Sequence, residues 1–158
     1  MENVLQPREI EGIVIRRLES GDFQKGIIEL LSTLTKVGNL TEEIFCRTLS
    51  FMNSRPNEYY VIVFEDLATQ KLVAHGTLLV EQKLLYEGGK CGHIEDVVVA
   101  KNCQGRGIGK QLVTFLVNLS RELGCYKVIL DCKDEIKGFY EICGLEQRFV
   151  CMAKYHMK

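Results

Sequence analysis

The chain has 158 residues, 26% of them charged and 46% hydrophobic, with a formal net charge of -1. That length suits a single domain with a core large enough to need no disulfide or metal staple. The near-balanced charge excludes an overall basic bias toward nucleic acid, and no run approaches the ~20 apolar residues of a membrane span.

The chain opens with "MENVLQPREIEG", a polar stretch without the apolar segment of a signal peptide, and residues 1–11 read as the flexible leader of one domain spanning 1–158. "GIVIRRL" (12–18) reads as a strand, and Asp22 of the following "SGD" is placed to cap a helix running to about Lys36. A second helix starts at Thr41, with Glu42 and Glu43 in its first turn where acidic groups suit the helix dipole, and runs toward Met52. "YYVIVFE", "KLVAHGTLLVEQ" and "CGHIEDVVVA" are rich in β-branched and aromatic residues and form an antiparallel meander across turn-like "DLATQ" and "EGGK". Next comes a helix whose apolar residues Ile108, Leu112, Leu116, Leu119 and Leu123 step by a helical period, with Gly124 to end it. "YKVILDC" (126–132) reads as a strand, "EIKGFYEICG" as a short helix and "LEQRFVCMAKY" as a closing strand. The fold class is therefore α+β, a mixed and mostly antiparallel central sheet flanked by helices.

Seven cysteines at 46, 91, 103, 125, 132, 143 and 151 include no Cys-x-x-Cys pair, which predicts free thiols, a cytoplasmic location and no metal centre. Between the meander and the amphipathic helix lies "CQGRGIGKQLV", with glycine at 105, 107 and 109. Glycine in a helix interior costs roughly 0.5–1 kcal/mol relative to alanine, so the alternation needs a compensating use. A strand feeding bare backbone into a helix start directs unpaired N–H groups at an anion, with Arg106 and Lys110 adding positive charge. A P-loop is excluded, because Gln104 stands at its first glycine and Gln111 at its magnesium-binding hydroxyl. The dinucleotide fingerprint fails at Lys110, where its third glycine belongs.

"QGRGIG" after "IEDVVVA" resembles the acyl-CoA pyrophosphate loop of the GNAT N-acetyltransferases, and the order of elements is similar to theirs over nearly the whole chain. "LTKVG", "CGHIEDVVV", "CYKVILDC" and "GFYEICG" together resemble the branch of that family that acetylates glucosamine 6-phosphate. The resemblance implies acetyl-CoA as acetyl donor, bound along the backbone of Val97, Val98 and Val99 and at Gly105, Arg106, Gly107, Ile108, Gly109 and Lys110. It implies Tyr140 beside the leaving sulfur as general acid, Asp131 orienting the amine, and Glu95 and Asp96 at the sugar. Thr35, the segment Lys83, Leu84, Leu85 and Tyr86, and Lys154 are implied for sugar and phosphate recognition. It further implies a homodimer whose C-terminal strand reaches across to the partner, a small-molecule amino sugar phosphate as substrate, and neither nucleic acid nor membrane as partner.

The residues support these roles to different degrees. A strand edge can hold pantetheine amides as an added strand would, while its side chains pack in the core. Glu95 and Asp96, adjacent in a strand, are expected to point to opposite faces, which argues against a paired-carboxylate glycosidase. No Ser-His or Cys-His arrangement is visible, so direct attack of the amine in a ternary complex is expected, with Glu95 or Asp131 accepting its proton. His93 is a candidate base; His75 reads as core or surface, and His156 as tail. Two positions depart from the family pattern: Ile136 replaces an asparagine that contacts coenzyme, and Lys154 stands where an arginine is expected. The same fold acting on a polyamine or a peptide N-terminus, or a non-catalytic CoA-binding module, are the alternatives the residues leave open.

Overall fold

The structure, a computed structural model, describes residues 6–156. Six strands form one sheet in sequence order: β1 (Arg8–Ile10), β2 (Ile13–Arg17), β3 (Tyr59–Asp66), β4 (Lys71–Gln82), β5 (Lys90–Val99) and β6 (Cys125–Ile129). All neighbours are antiparallel except β5 and β6, which are parallel because the helix α4 (Ile108–Glu122) crosses over between them. The mixed, mostly antiparallel sheet expected from the sequence is present.

Helices cover both faces. α4 lays Ile108, Leu112, Leu116 and Leu119 against Ile62, Phe64, Leu78 and Ile94 on one side of the sheet. On the other side, α1 (Ile27–Ser32) and α2 (Glu42–Asn53) pack Ile27, Leu30, Phe45 and Leu49 on Val61, Val63, Leu72 and Val98. A strand buried on both faces has no polar side to show, which is why "YYVIVFE" reads as an almost unbroken apolar run. Thr41 caps α2 as expected, its hydroxyl accepting the Ile44 N–H at 3.3 Å.

Four elements depart from the sequence reading. Arg8–Ile10, inside the stretch read as a leader, adds an edge strand to β2, while residues 1–5 lie outside the described residues. Asp22 caps no long helix: it sits in a 3-10 turn (Ser20–Lys25), accepting the Glu19 N–H at 2.8 Å and both terminal nitrogens of Arg16 at 2.7 and 2.8 Å. Glycine at 26, with φ 88°, interrupts the helical run there, and α1 begins after it. β6 ends at Ile129, short of the predicted Cys132. The closing strand predicted for 145–155 does not form, and Phe149, Val150, Met152 and Tyr155 are exposed. Its β-branched and aromatic residues favour an extended backbone, but a strand needs a neighbour, and the segment lies outside this chain's sheet.

Candidate active site

The site is organised by a parting of strands. β5 and β6 pair only from Lys90 to His93 against Cys125 to Ile129, yet β5 continues to Val99. Beyond His93 no strand among the described residues lies on the side of β5 that faces away from β4, so its main-chain groups are open to an extended ligand.

On its other side β5 carries a bulge. Thr77 of β4 pairs with Glu95 and His75 pairs with Val98, so two steps along β4 match three along β5. Asp96 takes the extra position with φ 52°, a left-handed conformation unusual for a side-chain-bearing residue. The bulge re-phases the strand: Ile94, Val97 and Val99 all pack toward the α4 core, and Val98 toward the opposite one. Strict alternation is therefore broken between Ile94 and Val97, and the two carboxylates between them are both exposed.

Asp131, in the exposed stretch after β6, completes an acidic group with these two. Partial burial, then the negative charges of Asp96 and Asp131, push Glu95 above the ordinary carboxylate range, with His93 opposing in part. A raised pKa makes Glu95 a stronger proton acceptor once ionised. Asp131 accepts a hydrogen bond from the Cys151 thiol at 3.2 Å, and that bond, with the aspartate's charge, raises the thiol's pKa. Tyr140 projects from α5 (Lys137–Glu141), and burial, then the thiols of Cys132 and Cys143, raise its pKa. A phenol in that setting keeps its proton at neutral pH and can donate it.

The glycine loop lies at the other end of the open edge. Gly105 and Gly107 adopt φ 77° and 79°, which turn the chain from β5 into α4. The Gln104 side chain ties the loop to the Val99 carbonyl at 3.3 Å. Gln111 N–H bonds Gly107 O at 3.0 Å, leaving the N–H groups of Ile108, Gly109 and Lys110 as the unpaired first turn of a fifteen-residue helix. Gly109 is required by close approach, since a Cβ there would fall 3.2 Å from Phe139 Cζ and 3.5 Å from Val99 Cγ2. Phe139 thus seats α5, and with it Tyr140, against the loop. Arg106 turns toward Cys103, 3.8 Å away, and lines a hollow of about 370 Å³ shared with Glu11, Asp66 and Val73.

Other predicted site residues are more dispersed. Lys83 precedes the one-turn element α3 (Leu85–Gly88), in which Tyr86 and Glu87 are left-handed. Lys83 Nζ pairs with Glu81 Oε1 at 2.6 Å, and Glu81 Oε2 meets His93 Nε2 at 2.9 Å. The Lys83 and then the His93 hydrogen bonds hold Glu81 below the usual carboxylate range. Leu84 and Leu85 are exposed, and Tyr86 stacks at 4.3 Å on Tyr126. Thr35 lies in the exposed turn after α1, and Lys154 in the exposed C-terminal segment. Among the described residues no three His, Cys, Asp or Glu side chains cluster as a metal site.

Three contacts escaped sequence reasoning. Phe139 under Gly109 and Cys151 on Asp131 join residues distant in sequence, and no local pattern announces them. His75 is buried with Nδ1 3.0 Å from the Asp96 carbonyl. Its signal was a lone ionisable residue inside an apolar strand.

The geometry therefore offers an open strand edge, a helix start able to hold an anion, a carboxylate raised in basicity and a protonated phenol. The family model described as Acetyltransferase (GNAT) family matches residues 25–145. Glucosamine 6-phosphate N-acetyltransferase of Arabidopsis thaliana is 43% identical over 92% of this chain and 97% of that protein. The protein of the same name from Candida albicans is 44% identical over 90% of this chain and 95% of its own length. The crystal structure of the Arabidopsis enzyme superposes with a TM-score of 0.90, covering 93% of this chain and 100% of that one.

Proposed function

The chain belongs to the GNAT acetyltransferase family, and from that membership we propose that it transfers the acetyl group of acetyl-CoA to the 2-amino group of glucosamine 6-phosphate. The observation that carries this reading is the unpaired edge of β5 beyond His93, bounded by the α4 N-terminus at one end and the carboxylates Glu95, Asp96 and Asp131 at the other. Relatives named for that activity match more than nine-tenths of this chain at about 43% identity, and they support the substrate assignment.

In this reading the pantetheine amides pair with Val97 to Val99, and the pyrophosphate lies on the N–H groups from Gly105 to Lys110. Glu95 takes a proton from the entering ammonium and passes it to water; the free amine attacks the thioester carbon, a main-chain N–H at the bulge stabilises the oxyanion, and Glu95 accepts the second proton that attack releases. The C–S bond then breaks, and the departing thiolate takes the Tyr140 proton. Asp131 and Asp96 orient the amino sugar by hydrogen bonds, while Lys83 and Thr35 face its phosphate. Orientation of two bound reactants contributes about 7–11 kcal/mol in favourable cases.

We assign the C-terminal segment, with Lys154, to a second copy of the chain. The exposure of Phe149, Val150, Met152 and Tyr155 supports a homodimer in which a partner gives that segment the neighbour it lacks. The seven cysteines are unpaired, which supports a reducing cytoplasm.

An acetylation assay tests the reading by comparing glucosamine 6-phosphate, glucosamine, a polyamine and a peptide N-terminus as acceptors. The phosphorylated sugar should be preferred, and a preference for either of the last two would replace the substrate. Tyr140→Phe should lower kcat about 100-fold. Coenzyme A binding with no acetylation of any acceptor would make the protein a binding module instead.

A further inference from the structure

The bulge in β5 has an internal support that the reaction scheme does not use. His75 lies in β4 between Val63 of β3 and Val98 of β5, in the face covered by α1 and α2, and only 5% of it is exposed. Burial pushes its imidazole below the usual histidine range, against the hydrogen bond to Asp96, which raises it. A neutral ring can donate from one nitrogen only, and a carbonyl only accepts, so the 3.0 Å contact with Asp96 O requires the proton on Nδ1. That tautomer is the less usual one in water.

The placement is purposeful in physical terms. Where the ladder slips from Thr77↔Glu95 to His75↔Val98, Asp96 and Val97 stand against the single β4 residue Gly76, and neither forms a registered pair. The Asp96 carbonyl loses the partner a regular strand would supply, and an unpaired main-chain acceptor beside the buried His75 ring is costly. His75 provides the donor from the strand beneath. An apolar side chain of the same size would fit between two valines equally well but would leave the bulge unpinned.

We propose that His75 is a positioning residue: its Nδ1–H, bound to the Asp96 carbonyl, fixes the left-handed bulge that separates the carboxylates at the amine from the Val97–Val99 backbone at the acyl donor. It touches neither substrate. Without that bond the strand relaxes toward regular pairing, Val97 to Val99 change phase, and the open edge no longer lines up with the glycine loop. The inference rests on the acetyl-transfer reading for its effect on rate, but not for its effect on the bulge.

Two measurements test it. Nitrogen-15 NMR of the wild-type protein should show His75 as the neutral Nδ1–H tautomer at neutral pH; the Nε2–H form would overturn the proposal. His75→Leu should raise the Kd for coenzyme A about tenfold at unchanged stoichiometry and lower kcat/KM for acetyl transfer about 10- to 100-fold. His75→Asn, whose amide nitrogen is as many bonds from Cβ as Nδ1 is, should return both to within about threefold of wild type. A loss of folded protein alone would lower the binding stoichiometry and leave Kd unmoved. Should the leucine variant fail to fold, His75→Gln takes its place, since its donor lies one bond too far out. A leucine or glutamine variant with wild-type Kd and kcat/KM, or an asparagine variant as impaired as leucine, overturns the assignment. If the wild-type protein acetylates no amino sugar, the substrate reading fails, while the tautomer and the coenzyme Kd still decide the role of His75.

Discussion

The sheet carries two groups of carboxylates that solve the problem of buried charge in opposite ways. Toward the β2–β3 side, Asp22 and Glu65 are clasped by Arg16 and Lys25, with Arg16 Nη2 2.7 Å from Asp22 Oδ1 and Lys25 Nζ 2.6 Å from Glu65 Oε1. Burial works against the Glu65 charge, but the hydrogen bonds from Lys25 and Arg16 outweigh it and hold the group below the ordinary carboxylate range. At the β5 bulge, partial burial and then the charges of Asp96 and Asp131 push Glu95 the other way. A cluster that arrives with its own cations is finished structure. One that gathers negative charge without them is destabilised until a cation comes, and an amino sugar enters as an ammonium.

The largest effect that can break this comparison belongs to the finished cluster. Asp22 is 1% exposed, and Asp22→Ala would take from the partly buried Arg16 guanidinium two of its hydrogen bonds and leave Glu65 as its one carboxylate partner. A lost hydrogen bond to a charged group costs about 1.5–3 kcal/mol, and Asp22 accepts two from Arg16, so the urea midpoint should fall sharply even with Glu65 retained. The protein that remains folded should keep the wild-type kcat, because nothing in the network reaches the β5 edge. An equal loss of kcat in the folded fraction would mean that the two clusters are coupled through the sheet.

Glu95→Gln should do the reverse. It removes the proton acceptor and should lower kcat/KM about 100-fold. The same change takes one negative charge from an uncompensated group on an exposed residue, so stability should shift by no more than about 0.5 kcal/mol, toward greater stability. The signs with pH also differ. The Glu65 contribution is complete above the unfolded carboxylate pKa and is lost as pH falls through its lowered folded value. Glu95 is the opposite case: its raised folded pKa favours the folded state most at low pH, and that advantage fades as pH rises through it. Acid unfolding curves of Glu65→Gln and Glu95→Gln should therefore diverge from wild type in opposite directions.

Much of the fold was legible because it depends on period and punctuation. The steps of four, four and three between Ile108, Leu112, Leu116 and Leu119 mark α4, and those side chains are buried. The glycine loop was legible for a related reason, since positive φ at 105 and 107 leaves little choice of residue. The bulge was not. "HIEDVVV" can be read as one regular strand, and only the register with β4 shows that a residue is left over at Asp96. Missing the bulge hid the break in alternation between Ile94 and Val97, and with it the purpose of His75, whose partner is a carbonyl twenty-one residues away. The unformed strand at 145–155 failed differently: propensity describes a residue's preference, whereas pairing requires a neighbour that this chain's sheet does not supply.

The smallest expected effect tests whether the acidic group acts as a unit. Partial burial raises the Glu95 pKa first, and the charges of Asp96 and Asp131 add to it. If Glu95 accepts the amine's proton, the acid limb of kcat/KM should lie above the pH expected of an isolated glutamate. Asp96→Asn removes one of the two negative neighbours and keeps a side chain of the same shape. It should move that limb to lower pH while leaving a Glu95 that ionises more readily but is a weaker base, so the plateau should fall modestly as the limb shifts. The limb must be followed in kcat/KM, which reports the free enzyme, because a bound ammonium would itself neutralise the cluster in the complex. A limb that stays in place would show that the Asp96 charge does not set the basicity of Glu95, and the contrast with the Arg16 network would then rest on burial and Asp131, not on the three carboxylates acting as a unit.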